Sequence, residues 1–208
     1  MTEAAERAEE PQPKHFGRKL YLVPFVFALQ DGPPGYAEKL EAYWGEVGNH
    51  VRNLEARFGK ISKVYHESVP LGGEEGLKLL EQLNEKAHRM LRRKCQQGAG
   101  FVALEDRELL EEAINWRRCL AVVLSGPVLR KVSEFYQKAS RKRRELMAKR
   151  IDETLKDAEA GVLVIGEDHA VQFPPDIQVF YVAPPALDEL HRLLRDHARA
   201  SQEQASTS

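Results

Sequence analysis

The chain has 208 residues, 42% of them hydrophobic and 30% charged, which supplies one ordinary core and excludes both wholesale disorder and two large domains. Its 31 Lys and Arg against 32 Asp and Glu leave a net charge of -1, so nothing pulls the whole molecule toward nucleic acid or an anionic membrane. Cys95 and Cys119 lack Cys-x-x-Cys spacing, no apolar run nears the roughly 18–20 residues of a membrane span, and the acidic start has no leader-like pattern; a reducing, cytoplasmic setting is expected.

Residues 1–17 and 199–208 have no apolar periodicity and read as disordered tails around a single domain over 18–198. The run Lys19–Leu29 is rich in β-branched and aromatic residues and predicts a buried strand, stopped by the turn chemistry of Asp31-Gly-Pro-Pro-Gly35. Pro24 cannot donate to a ladder, so the strand bends there or is unpaired on that side, which places it near an edge. Tyr36, Leu40, Tyr43, Trp44, Val47, Val51, Leu54 and Phe58 recur at steps of three and four and predict an amphipathic helix ended by Gly59. A strand over 61–69 follows, then one helix over 74–96, then a short strand over 101–104. Helices over 107–124 and 128–160 are separated by Ser125-Gly-Pro127. The aliphatic runs 162–165 and 177–182 read as covered strands, and Pro184-Pro185 opens a last helix. Strands alternating with helices imply an α/β class, a mostly parallel sheet of about five strands flanked by helices.

In such sheets chemistry gathers where strands end. Three ends are polar: His66-Glu67, Glu105-Asp106 and Gly166-Glu-Asp-His169. An extended backbone after Gly166 would send Glu167 and His169 to one face, an imidazole and a carboxylate suited to zinc, manganese or iron or to acid/base work. The bland alternative is a polar loop, with Glu167 capping a helix or meeting an arginine. Alternation would send His66 and Glu67 to opposite faces, so only one need enter a site; Glu105 ends its strand, and Asp106 reads as a helix cap. Arg117-Arg118 and the run Arg141–Arg144 would ordinarily be solvated, but an inward arginine, Arg118 or Arg144, could clamp an anion. Walker, Gly-x-Ser-x-Gly and His-Glu-x-x-His signatures are absent.

The segment from Arg144-Glu145 through a helix into Val162-Leu-Val-Ile-Gly-Glu-Asp-His169, with the strand ending at His66-Glu67, resembles the TraB, TIKI-like and erythromycin esterase/ChaN-like superfamily. The resemblance covers about residues 61–69 and 140–170. It implies site roles for Glu67 and His169, with Glu167 similar to the Gly-Glu-x-His of some branches. The first strand has no histidine, where those proteins typically carry one. Two functions are therefore expected. One is a metal-assisted hydrolase with Glu67, Glu105, Glu167 and His169 catalytic, Glu167 and His169 holding the metal, and His66, Arg118 and Arg144 touching ligand. The other is a non-catalytic small-molecule-binding or scaffolding module, homo-oligomeric through its long helices. The expected partner is a small molecule or peptide, with neither nucleic acid nor membrane.

Overall fold

The computed structural model describes residues 17–29 and 31–206. Five strands, β1 (Lys19–Pro24), β2 (Ile61–His66), β3 (Gly100–Phe101), β4 (Ala160–Ile165) and β5 (Gln178–Tyr181), form one all-parallel sheet in the order β3-β2-β4-β1-β5. Six helices flank it: α1 (Tyr36–Phe58), α2 (Gly73–Leu83), α3 (Glu85–Gln96), α4 (Arg107–Val122), α5 (Gly126–Thr154) and α6 (Pro185–Ser206). The chain is a single α/β domain. Among the described residues no helix is long and apolar enough to cross a membrane.

A parallel strand covered on both faces must be apolar at successive positions, and β1 and β4 are buried throughout. Alternation along the strands divides their side chains between two cores. Tyr21, Val23, Val64, Val162 and Val164 pack under α1, α2, α3 and α6, against Tyr43, Val47, Leu77, Leu91 and Leu190. Leu20, Leu22, Tyr65, Leu163 and Ile165 face the other way, against Met147 and Ile151 of α5, Leu155 just past its end, and Val171 and Ile177. The last two belong to the β4–β5 connection, which crosses over β1 without a helix.

β1 lies one strand in from the edge of the sheet, between β4 and the edge strand β5. Pro24 is tolerated because it is the last residue of β1, and β5 pairs only as far as Tyr181 opposite Leu22. The carbonyl of Leu22 faces β5, where it accepts from Val182 N at 2.8 Å, so the N–H that Pro24 lacks would point past the end of that strand. The single helix expected over 74–96 is two, because Asn84 leaves the helical region (φ -157°, ψ 88°) and its Oδ1 accepts from Ala87 N at 3.1 Å to start α3. The tail expected over 199–208 is helical as far as Ser206, where α6 ends. The N-terminal tail, apart from Gly17, lies outside the described residues.

Tyrosines tie the chain that leaves β1. Tyr43 donates to Pro24 O at 2.6 Å, Tyr36 to Phe27 O at 2.5 Å, and Asn84 Nδ2 to Val26 O at 3.3 Å. Beyond the sheet, α4 and the start of α5 pack on each other, with Trp116 stacked on Phe135 at 4.9 Å. The tip of that arm leaves Val122, Leu124, Val128 and Leu129 exposed.

Candidate active site

The carboxyl ends of β2, β3 and β4 meet at one place, held by α5. Arg143 stands one helical turn before Met147, whose neighbours at steps of four face the sheet, so its side chain runs in under the arm. Its Nε donates to Glu105 Oε2 at 3.0 Å, its Nη2 donates to Glu105 Oε1 in a short bond, and Nη2 also reaches Glu67 Oε1 at 3.5 Å. Glu105 is 1% exposed. Its Oε1 accepts in addition from Ser68 N at 3.2 Å, and two turns further along α5 Arg150 donates to the Glu105 carbonyl. Burial opposes the charge on Arg143, but the hydrogen bond and charge of Glu105, with Glu67 behind, outweigh it and hold the guanidinium above its ordinary pKa.

Glu67 continues the ladder one residue past β2, its N–H bonded to Val164 O at 2.8 Å, and so points to the face opposite His66. Its Oε2 accepts from Gly166 N at 2.7 Å. Any side chain at Gly166 would set its Cβ 3.3 Å from that same oxygen and 3.2 Å from Asp168 Oδ1. Two carboxylates therefore converge over the α-carbon of Gly166, and a side chain there would make them give way by a few tenths of an ångström. The backbone around them bends sharply: Ser68 and Ala170 hold positive φ, 72° and 48°, rare for residues with a side chain. A cleft of about 440 Å³ opens above, with Phe25, Phe27, Arg117 and Tyr136 across from Glu67, Arg143 and Asp168. Phe25 and Phe27 pack with ring centroids 4.2 Å apart.

The expected residues divide unevenly. Glu67 faces the cleft. Glu105 does not end its strand, since β3 stops at Phe101 and Glu105 follows in the loop before α4, and it cannot act as a base on a ligand, because both its oxygens are taken and it is buried. Asp106 caps α4 by accepting from Leu109 N at 3.1 Å. His66 is fully buried on the opposite face, edge-on to Phe25 at 4.7 Å, its Nδ1 against the Glu67 carbonyl; burial lowers its pKa to about 4. It touches no cleft. Arg118 points to solvent, and Arg144 lies in a separate groove with Arg141, Ala170 and Gln172.

The pairing expected of Glu167 and His169 fails for a local reason. The backbone after Gly166 is a turn, closed by His169 N donating to Gly166 O at 3.1 Å, so the two-residue alternation of a strand does not apply. Glu167 lines the cleft beside Asp168, but its carboxylate turns to α6 and meets His191 Nε2 at 2.9 Å. His169 accepts from Val171 N at 3.0 Å through Nδ1, so the neutral ring carries its proton on Nε2 and offers a donor there. Desolvation lowers its pKa, against the opposing pull of Glu67 and Asp168. Among the described residues no three His, Cys, Asp or Glu side chains converge as a metal ion needs. The donor set thus does not fit the transition-metal centre expected from the motif.

Asp168 was missed by sequence reasoning, and Arg143 and Arg117 were named only within their basic runs, the choice falling on their neighbours Arg144 and Arg118. For Arg143 the signal existed: Met147 and Ile151, at steps of four on α5, put 143 rather than 144 on the buried face. Against protein-family models, curated proteins and solved structures, the chain has no match.

Proposed function

We propose that this chain is a small hydrolase-type acid/base enzyme whose reacting groups are the Glu67 and Asp168 carboxylates. The observation that supports it is their convergence over Gly166 beside a fixed guanidinium, at the floor of a cleft of small-molecule size. In this reading the pair seats a water and Glu67, oriented by the Gly166 amide, takes its proton as the water oxygen bonds to an acyl or phosphoryl centre; the bond from that centre to the leaving group breaks, and Glu67 returns the proton to the departing group. Arg117 lines the cleft and meets no carboxylate among the described residues; it steadies the developing anion. Arg143 is a positioning residue, its charge spent on Glu105 and Glu67. No step runs through a metal, since the residues present do not hold one.

The apolar wall of Phe25, Phe27 and Ile114 suits a ligand with a hydrophobic part, a small molecule or short peptide rather than a nucleic acid. A second reading, a non-catalytic binding module, is favoured by the same free Arg117 opposite aromatic rings, which is a recognition pair as much as a catalytic one. The resemblance to the TraB and esterase-like superfamily supports the hydrolase. A cytoplasmic setting is supported by Cys95 and Cys119 being free, and self-association by the apolar tip of the α4–α5 arm.

The test is a screen of aryl and alkyl esters, peptides and phosphate esters with the wild type, Glu67→Gln and Asp168→Asn. The enzyme reading expects turnover of one class, reduced about 10²-fold or more in Glu67→Gln. Binding of the same compounds without turnover would leave the module, and turnover unchanged in both variants would sink the proposed pair.

A further inference from the structure

On the opposite face from the arm, α1 and α3 run parallel, and two sets of ion pairs pin them together. At one end Glu41 of α1 meets Lys86 in a short pair and Arg89 at 3.4 Å. At the other, Glu55 and Lys94 form a largely buried pair at 2.5 Å. Between the pins lies a groove of about 560 Å³, lined by Arg52, Lys86, Arg89, Arg93 and Lys94 with Glu41 as its one acid. Arg52 reaches only the Asn49 side chain, and neither Arg52 nor Arg93 meets a carboxylate among the described residues.

The groove is open because of two glycines. Gly45 and Gly48 lie one turn apart on α1 along it; a Cβ at Gly45 would meet nothing within 4 Å, and one at Gly48 only Arg52 Nη1 at 3.7 Å. Glycine inside a helix is unfavourable relative to alanine, and packing does not demand it here. The cations also crowd one another. Lys86 is held below the ordinary lysine range, first by desolvation and then by Arg89.

We propose that this groove is a binding site for a small anion carrying two or more linked phosphate groups. The guanidinium forks of Arg52 and Arg93, with Arg89 shared between Glu41 and Glu85, match phosphate oxygens in a way lysines alone do not, and a molecule whose overall charge is -1 has gathered them into one concave surface. The size is that of a small-molecule site, and no exposed aromatic ring is there on which a nucleic-acid strand could stack its bases.

Calorimetric titration of the full chain at low salt, with inorganic tripolyphosphate and separately with ATP, tests this. Saturable binding near one equivalent is expected, weakened at least about ten-fold by Arg52→Gln/Arg93→Gln and unaltered by Arg118→Gln, an exposed arginine outside both groove and cleft. Both arginines are exposed, so the double variant should fold; Gly45→Leu, which fills the groove from its floor, is the second variant and should weaken binding as well. Tighter binding of ATP than of tripolyphosphate would identify a nucleotide as the source, and equal binding a free polyphosphate. No binding at millimolar ligand, or binding indifferent to both groove variants, overturns the proposal.

Discussion

Arg143 and Glu105 join α5 to the loop that follows β3 through two hydrogen bonds between one guanidinium and one carboxylate, with the carboxylate almost wholly out of water. A pair of this kind adds little over an apolar replacement, but removing one member strands the other. Glu105→Ala should cost roughly 3 kcal/mol, the lower end for buried pairs because Arg143 keeps some exposure. Urea unfolding checks this, and Arg143→Met/Glu105→Leu should recover much of the loss. Because Arg143 also orients Glu67, the double variant should remain inactive.

Gly166→Ala separates the site from the fold. Its methyl group would sit 3.2–3.3 Å from both carboxylates, which are side chains able to move away, so the sheet should survive while the pair spreads. The expected result is a change in stability of about 1 kcal/mol or less and a drop in ligand binding or turnover of about ten-fold or more. A variant as active as the wild type would show that the convergence over Gly166 has no role.

His66 makes stability depend on pH. Its folded pKa of about 4 lies below the unfolded value near 6.5, so the unfolded chain binds the proton first. The contribution is whole above pH about 6.5 and is lost as pH falls toward about 4, amounting to about 3 kcal/mol. Urea midpoints at pH 7, 6 and 5 should fall steadily in the wild type. In His66→Gln the fall over this range should largely disappear; an equal slope in both would assign it to other groups.

Asn84 holds the break between α2 and α3, accepting from Ala87 N and donating to the Val26 carbonyl beside the cleft. Asn84→Ala should cost about 1–2 kcal/mol in thermal or urea unfolding. It should also loosen Phe25 and Phe27, read as faster proteolysis or amide exchange in residues 25–29.

Most of the framework was legible because aliphatic runs and helical stripes report directly on burial. α1 has its expected bounds, and all five strands fall where expected, to within a few residues. What failed depended on a single dihedral or on sheet order. Nothing along the chain says that β1 inserts between the last two strands, and Asn84 interrupts a stripe whose apolar spacing carries on across it. At the site the errors were mostly of one residue. Arg143 and Arg117 line the cleft where their neighbours Arg144 and Arg118 were expected, and Asp168 joins the expected Glu167 there in place of His169. One residue is a rotation of about 100° on a helix, and in a turn it is an entirely different direction. The residue types and the strand ends could be read, but which neighbour points inward required the packing.

The insertion of β1 has a consequence for how the molecule comes into being. Lys19 pairs with Ala160 and Gln178, so the first strand made finds both of its partners only in the last two. Helix α1 can form early, but the central sheet is assembled from the two ends of the chain, and that long-range closure makes folding slow relative to helical domains of similar size. At ordinary synthesis rates the buried apolar strand Leu20–Val23 waits roughly 10–30 s on the ribosome before β4 emerges, the interval in which a chaperone would be of most use.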